Sequence, residues 1–221
     1  MLKSAGKKIQ VCPLCYGRFI SDFYQDSYRA YFRCRNCALI FVDPESFLSS
    51  SEEKARYELH QNSSEARGYR EFLNRLVEPL SVRLGKKELK GLDFGCGPCP
   101  TLPFMLEERG YLMSFYDPYF ADNPSLLDKE YDFVTCSEAM EHFNSPAKEW
   151  SLLLARVKPG GWLGIMTNLS AEAENFGQWY YKNDLTHVSF YSRDTFSFLA
   201  ERDALKVEFI GNDVILIRKP G

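Results

Sequence analysis

The sequence predicts an α/β fold, a doubly wound and mostly parallel sheet that follows a small cysteine-bearing module. Three observations support this prediction. The 221 residues are 45% hydrophobic and 26% charged, which is typical of a chain that builds a packed core. From residue 90 onward, apolar segments of strand length alternate with helical segments, as in parallel sheets with helical crossovers. Near the start, four of the seven cysteines form two C-x2-C pairs.

The cysteine module is predicted at residues 1–44. Cys12, Cys15, Cys34 and Cys37 have the spacing C-x2-C-x18-C-x2-C, which suits a tetrahedral site of four thiolates. The aromatic-rich segment between the pairs predicts a short hairpin. The pattern resembles a zinc ribbon, whose four sulfur ligands leave the zinc no open position and make it structural. An iron site of the rubredoxin kind uses the same ligands and is the alternative.

Positive charge is concentrated in this ribbon. Residues 1–42 contain seven basic and two acidic side chains, whereas the whole chain has a formal charge of -3. The overall charge argues against nucleic-acid binding by the whole surface. Contact of the ribbon with RNA or with a protein is one hypothesis, and a solvated basic face is the other. The basic residues are Lys3, Lys7, Lys8, Arg18, Arg29, Arg33 and Arg35.

Residues 45–88 are predicted to form a helical linker or lid. A polar stretch at 49–53 leads into a helix, and apolar residues spaced three and four apart mark a second helix from Tyr69 to Leu84, which Pro79 kinks or divides. No apolar run approaches the 18 residues of a membrane span, and the first residues lack the apolar core of a secretory signal. A cytoplasmic protein without membrane contact is therefore expected.

A glycine turn in the remaining part, residues 89–221, predicts a nucleoside site. Residues 93–99 (DFGCGPC) follow an apolar strand and open a helix, where glycines let backbone amides approach a ligand. Asp117 ends the next strand, where a carboxylate can accept both ribose hydroxyls. Both NAD and S-adenosylmethionine fit this geometry. NAD enzymes usually need a third glycine for the pyrophosphate, and Pro100 stands at that position here.

Four motifs in order resemble those of the class I S-adenosylmethionine-dependent methyltransferases, which have a Rossmann-like fold. They are DFGCG (93–97), the carboxylate Asp117, YDFVTCSEAMEHF (131–143) and VKPGGWLGIMT (157–167), and the third is similar to its counterpart in the ubiquinone-pathway O-methyltransferase group. The resemblance covers about residues 85–217. The sequence departs from the family in two places. Cys99 stands at the third glycine of the G-x-G-x-G that is usual in these methyltransferases, and the short span from Asp117 to Tyr131 predicts a shortened or missing third strand.

The resemblance implies which residues hold the cofactor. Asp93 orients its ammonium group, Gly95 and Gly97 pack against its methionine moiety, and Asp117 holds its ribose; loop capping is the alternative role of Asp93. Tyr57, His60 and Tyr69 are interpreted as a lid, although core packing explains Tyr69 equally well. The full predicted cofactor set is Tyr69, Asp93, Phe94, Gly95, Cys96, Gly97, Asp117, Pro118, Ser137 and Glu138.

The predicted catalytic residues are Glu138, Glu141, His142 and His187. A neutral imidazole is a suitable base near pH 7. The four side chains also resemble the two-Glu, two-His metal set of some O-methyltransferases, including small-RNA terminal ribose methyltransferases, so a second divalent metal is one hypothesis. His142 as base or substrate positioner without metal, and a structural role, are the others. Five aromatic residues near His187 form either a roof over the acceptor or a core patch: Trp179, Tyr180, Tyr181, Phe190 and Tyr191.

The motifs together predict an S-adenosylmethionine-dependent methyltransferase that acts on a small molecule, at oxygen. RNA methylation guided by the basic ribbon is the second hypothesis. A non-catalytic adaptor that senses a nucleoside is the third.

Overall fold

A six-stranded sheet with the order β5-β4-β6-β7-β10-β9 forms the centre of the protein. The computed structural model describes residues 11–59, 64–170 and 173–221. The first four strands in this order pair in parallel, and β10 runs antiparallel to both of its neighbours. The predicted α/β class with a mostly parallel sheet is confirmed. The strands are β4 (Lys90–Phe94), β5 (Leu112–Tyr116), β6 (Tyr131–Ser137), β7 (Val157–Met166), β9 (Lys206–Ile210) and β10 (Val214–Arg218).

Amphipathic helices cover both faces of this sheet. On one face, α2 buries Leu73, Leu76, Val77 and Leu80 in a cluster that includes residues of α3, β7 and β10. Pro79 lies inside α2 without dividing it. On the other face, α4 and α6 contribute to a second cluster. The helices are α2 (Arg67–Leu84), α3 (Thr101–Glu107), α4 (Pro146–Arg156) and α6 (Arg193–Arg202). Within the described ranges, no helix combines the length and apolarity that crossing a membrane requires.

Between β5 and β6 the chain forms only a short 3-10 helix, Pro124–Asp128. No third parallel strand pairs beyond β5, which is an edge strand of the described sheet. The prediction of a missing third strand is thus confirmed. A helical crossover alone needs at least ten residues, so the short segment has no room for a helix and a strand.

The ribbon forms a second sheet that incorporates a strand from the far end of the sequence. Its hairpin of β1 (Ile20–Gln25) and β2 (Ala30–Cys34) is confirmed, and β3 (Ile40–Val42) pairs with β2. On its outer side, β3 pairs with β8 (Ser189–Phe190). The second sheet therefore joins the ribbon to the sequence that follows β7.

The aromatic residues after β7 pack against the ribbon and do not line the cleft described below. Phe190 and Tyr181 are buried in one cluster with Tyr31 of β2 and with Phe176 of the short helix α5 (Ala173–Phe176). Tyr191 stacks on Phe196 in the main core, while Tyr180 is exposed and Trp179 packs at the cluster edge. Of the two alternatives for these residues, the structure favours the core patch over the roof, because none of the five lines the cleft and the main partner for this apolar face is the ribbon.

Arg29 ties the ribbon to the segment before β8. Its buried guanidinium donates hydrogen bonds to the carbonyl oxygens of Lys182 (2.5 Å), Asp184 (2.8 Å) and Leu185 (3.1 Å). Its Nε also donates to the Tyr31 hydroxyl at 2.9 Å. Hydrogen bonds from a charged donor in a buried site are stronger than those between neutral groups. This residue therefore fixes the 182–185 segment against the ribbon.

We expect Arg29→Met to destabilise the whole protein by about 3 kcal/mol, because three carbonyl oxygens lose their donor while they stay buried. In a protein of this size that loss lowers the melting temperature by roughly 6–12 °C. Thermal unfolding followed by circular dichroism measures it. Arg35→Met, at an exposed arginine of the same ribbon, is the matched control. Equal melting temperatures for the two variants would contradict the role of Arg29.

Candidate functional site

A cleft of about 480 Å³ opens where β4, β5 and β6 end. All ten residues of the predicted cofactor set line it. Glu141, His142 and His187 line it as well. Its volume lies within the usual range for small-molecule sites, and its position at the carboxyl edge of a parallel sheet is where such folds bind ligands.

The glycine turn after β4 has two residues in left-handed conformations. Gly95 has φ 80°, and a Cβ there would lie 2.6 Å from the Ala139 Cβ, so this position accepts only glycine. Gly97 has φ 64°, and a Cβ there would meet no atom within 4 Å. The turn therefore leaves open space beside Gly97, as the approach of a ligand to the backbone requires.

Asp93 is buried near the end of β4, and the only hydrogen bond to its carboxyl group among the described residues comes from the Thr135 hydroxyl to Oδ1 at 2.6 Å. Burial raises the pKa of this carboxyl to about 7; the Thr135 bond acts in the opposite direction, and the negative charge of Asp117 raises the pKa further. Burying the charged form of a carboxyl group that accepts a single hydrogen bond is costly, and a bound cation such as an ammonium group would offset that cost. The contacts do not show the predicted alternative, a loop cap.

Asp117 connects the glycine turn to the loop after β5. Its Oδ2 accepts a hydrogen bond from the Gly97 amide at 2.9 Å, and its Oδ1 accepts from the amides of Tyr119 (2.8 Å) and Phe120 (3.2 Å). The carboxylate is thus held in place at the edge of the cleft. Each carboxylate oxygen has two lone pairs, so Oδ2 can accept a second hydrogen bond, for example from a ligand hydroxyl.

Helix α1 (Ser50–Tyr57) contributes two cleft residues, of which the sequence analysis named only Tyr57. Buried Glu53 accepts a hydrogen bond from the Tyr119 hydroxyl at 2.8 Å. The Tyr57 ring meets the His142 ring edge-on, with centroids 5.1 Å apart. The sequence signal for this helix is its capping box, Ser49 with Glu52 three residues later. His60, the other lid candidate on this side, lies outside the described residues.

Three of the four predicted catalytic side chains converge. One ligand atom from each of Glu141, His142 and His187 lies within 4.8 Å of the others. The two imidazole rings are 4.7 Å apart between centroids. Burial lowers the pKa of His187 to about 4, so its imidazole is neutral near pH 7. Glu138 lies outside this group of three.

Glu138 and Ser137 follow β6 directly. Glu138 has φ 48°, a strained backbone conformation for this residue type, and its amide donates to the Met166 carbonyl at 2.7 Å. Burial raises the pKa of its carboxyl to about 9, and the nearby charges of Glu141 and Asp213 raise it further. Among the described residues, Ser137 Oγ is buried without a hydrogen-bond partner. An unpaired polar atom on the cleft wall suits a ligand contact.

The four ribbon cysteines have the geometry of a tetrathiolate site. The Sγ atoms of Cys12 and Cys37 are 3.5 Å apart, and so are those of Cys15 and Cys34. A tetrahedral zinc site with bonds near 2.3 Å separates its sulfur atoms by about 3.8 Å. The amides of Leu14 and Gly17 point at the sulfur atoms of Cys12 and Cys15, respectively. The donors therefore fit the predicted metal.

Fewer of the basic side chains of the ribbon are free to contact RNA or a protein than the sequence indicates. Arg29 is buried in the bonds described above, and Arg33 lies over the Phe23 ring. Arg18 and Arg35 are exposed. Lys3, Lys7 and Lys8 lie outside the described residues. RNA or protein contact through the ribbon stays a prediction.

The sheet order, the glycine turn and the two carboxylates at strand ends define the class I S-adenosylmethionine-dependent methyltransferase fold. The chain belongs to the family described as "Methyltransferase domain", whose sequence model matches residues 61–208. The family predicted from the four motifs is confirmed.

The comparisons with individual proteins agree with this family. A ubiquinone biosynthesis O-methyltransferase of Sodalis glossinidius is 31% identical over 80 residues, which are 36% of this chain and 32% of that protein. The chain spans about a third of the length of the curated relatives that it matches.

Two solved structures show the likeness of fold. The Burkholderia thailandensis 1,6-didemethyltoxoflavin-N1-methyltransferase, solved with bound 1,6-didemethyltoxoflavin and S-adenosylhomocysteine, is 14% identical with a TM-score of 0.50 over 90% of this chain and 99% of that one. The magnesium protoporphyrin IX methyltransferase of Synechocystis PCC 6803, solved with S-adenosylhomocysteine, is 13% identical with a TM-score of 0.51 over 79% and 96%.

Proposed function

We propose that the protein transfers a methyl group from S-adenosylmethionine to a hydroxyl oxygen of a small molecule. The observation that carries this proposal is the convergence of the ten predicted cofactor residues, from α2 and three strand ends, on one cleft. S-adenosylmethionine supplies an electrophilic methyl group when it is bound. Methyl transfer needs alignment and exclusion of water, and it needs no covalent nucleophile from the protein.

The chain's own residues fit this cofactor. Asp93 would hold the ammonium group in a buried site, Asp117 would accept the ribose hydroxyls, and the open space at Gly97 would admit the methionine part. Tyr69 lines the same cleft from α2, in accord with the proposed lid.

An oxygen acceptor must lose a proton, and His142 is the residue that we assign to this step. Its Nδ1 lies 3.1 Å from the Thr186 carbonyl oxygen, which can only accept a hydrogen bond. The neutral ring therefore has its proton on Nδ1 and a basic lone pair on Nε2. The similarity to the ubiquinone O-methyltransferase supports oxygen as the acceptor atom, although that match covers a minority of both chains.

Thermal unfolding with ligands tests the cofactor assignment. At a hundredfold excess over its dissociation constant, a ligand adds about 2.7 kcal/mol to the unfolding free energy. We expect S-adenosylmethionine and S-adenosylhomocysteine to raise the melting temperature by roughly 5–10 °C, and NADH to leave it unchanged. Asp117→Ala should abolish the shift. Asp122→Ala, at an exposed acid of the same loop, should keep it.

A shift with NADH alone, or none with the two sulfur ligands, would overturn the methyltransferase proposal. Turnover is tested next, with a cell metabolite extract and with RNA as methyl acceptors. Methylation of extract components supports the small-molecule proposal. Methylation of RNA would favour the ribbon-guided alternative, and binding without turnover on either would favour the adaptor.

A further inference from the structure

Helix α1 places a buried acid on the cleft wall, outside the predicted cofactor set. This acid, Glu53, is 7% exposed and lines the cleft. The only hydrogen bond to its carboxyl group among the described residues comes from the Tyr119 hydroxyl at 2.8 Å, and the neighbouring Lys54 pairs with Glu58 instead. Burying a charged carboxyl group is costly unless a cation compensates it. Glu53 therefore suits a positively charged group of a ligand.

Aromatic rings connect this acid to the residue that we assign as the base. The centroid of the Tyr57 ring lies 5.8 Å from that of Tyr119 and 5.1 Å from that of His142. Glu53 and Tyr57 are four residues apart and therefore share one face of α1. All four of these residues line the cleft. A ligand that spans one tyrosine ring would thus meet Glu53 at one end and His142 at the other.

The charge of the cleft also favours a cation. Burial raises the pKa of the Tyr57 hydroxyl, and the negative charges of Glu53 and Glu141 raise it further. Among the described residues that line the cleft, Lys148 is the only lysine or arginine. A cleft with this excess of acids attracts cations and repels phosphate and carboxylate groups. The acids are Glu53, Asp93, Asp117, Glu138, Glu141 and Glu149.

We propose that Glu53 binds a protonated amine of the methyl acceptor, whose phenolic hydroxyl lies at His142. This site rests on the proposed function, for which it specifies the acceptor as a phenol that carries an ammonium group. A phenol has a pKa of about 10, so a neutral imidazole can take its proton. Tyrosine rings pack against flat apolar groups and attract cations to their faces, which suits both parts of such a molecule.

The amine is an anchor and takes no part in the transfer. The phenol O–H proton passes to Nε2 of His142 and the oxygen forms a bond to the methyl carbon, while the electron pair of the broken carbon–sulfur bond stays on sulfur. The imidazolium then gives the proton to water. Because the amine stays protonated beside Glu53, its nitrogen has no lone pair and is not methylated.

Three matched phenols test the site on the intact chain, with S-adenosylhomocysteine present in excess. Tyramine carries an ammonium group, 4-ethylphenol is its uncharged analogue, and 3-(4-hydroxyphenyl)propionate carries a carboxylate. We expect tyramine to bind roughly 10–100-fold more tightly than 4-ethylphenol, the range that a hydrogen bond to a charged group provides. The carboxylate should bind more weakly than 4-ethylphenol. Isothermal titration calorimetry measures the three dissociation constants.

The variant Glu53→Gln removes the charge and keeps an oxygen for the Tyr119 hydroxyl. It should lose the preference for tyramine and bind 4-ethylphenol like the wild type. Two control variants should keep the preference. Glu58→Gln changes an exposed acid just after α1, and Glu149→Gln changes another carboxyl group of the cleft. Melting curves show whether each variant folds, and the comparison of the three phenols on the wild-type chain needs no variant.

A wild-type chain that binds S-adenosylhomocysteine without preferring tyramine overturns the amine site alone. An equal preference in the wild type and in Glu53→Gln also overturns it, as does loss of the preference in Glu149→Gln, which would assign the effect to the overall charge. Weaker S-adenosylhomocysteine binding by Glu53→Gln with the preference intact would place Glu53 at the cofactor and overturn the site. A chain that prefers tyramine but does not bind S-adenosylhomocysteine overturns the proposed function alone.

Discussion

Asp93→Asn is expected to weaken cofactor binding about a hundredfold and at the same time to stabilise the empty protein. The asparagine keeps an oxygen for the Thr135 hydroxyl, but it has no charge to pair with an ammonium group. Loss of a buried charge-assisted hydrogen bond costs about 2–3 kcal/mol, which is on the order of a hundredfold in affinity. Isothermal titration with S-adenosylhomocysteine at pH 8 measures this loss.

The stabilisation has a defined dependence on pH. Because the folded protein raises the Asp93 pKa from 3.8 to about 7, the contribution of this group to stability is complete below pH 4 and is lost as the pH rises through 7. This rise in the Asp93 pKa corresponds to about 4 kcal/mol of stability that is lost at high pH. The difference in unfolding free energy between Asp93→Asn and wild type should therefore grow from pH 4 to pH 7 and then level off.

Denaturant unfolding at several pH values checks this dependence, with Asp122→Asn as the control at an exposed acid. A constant difference between Asp93→Asn and wild type across this range would show that Asp93 is ionised at low cost. Wild-type affinity of the variant would show that another group holds the ammonium.

We expect the metal predicted for the ribbon to be required by the whole protein, so that its removal unfolds the chain in one transition. The predicted sulfur ligands Cys12, Cys34 and Cys37 lie in the same hydrophobic cluster as Met140 and Trp150 of the methyltransferase fold. Structural zinc contributes roughly 10–16 kcal/mol in small modules, as much as the net stability of a typical domain. Cys37→Ser, or chelation of the metal, should therefore abolish the helical circular dichroism signal as well as the ribbon.

Cys99→Ser is the matched control, because this cysteine lies in the cofactor turn, apart from the four sulfur ligands. The expected result is a single transition for wild type and control, and no native signal for Cys37→Ser. Two separate transitions, with the ribbon melting before an intact central sheet, would contradict the shared core. Metal analysis of the purified wild type distinguishes zinc from iron.

The sequence was sufficient to predict the parts of the fold that depend on local pattern. The strands β9 and β10 are marked directly in the sequence, because β9 (KVEFI) mixes polar and apolar residues and β10 (VILIR) begins with four consecutive apolar residues. The start of β7 is harder to predict, because the strand begins at Val157 and runs through Pro159, Gly160 and Gly161, a sequence that is typical of a turn. Gly161 instead lets the backbones approach closely, since a Cβ there would lie 2.7 Å from the Asp132 carbonyl oxygen.

Features that are defined by contacts between residues far apart in the sequence could not be predicted from local pattern. Arg29 belongs to a basic run whose usual place is the solvent, and only the fold shows that it is buried against the 182–185 segment. The two-residue strand β8 has no local signature, since its pairing with β3 defines it. Motif spacing did predict the cleft residues, because the ends of parallel strands meet at one edge. Nothing in the local sequence indicates that Glu138 lies outside the group of Glu141, His142 and His187.

The pairing of Ile40 with Phe190 also sets the order of events during synthesis. Ribosomes add about 5–20 residues per second, so the outer edge of β3 waits on the order of ten seconds for its partner. During that time its unpaired amides and carbonyls can pair with the edge strand of another nascent chain. Early binding of metal by the cysteines would hold the β1–β2 hairpin and β3 together. The yield of folded protein should therefore depend on how much metal is available during translation.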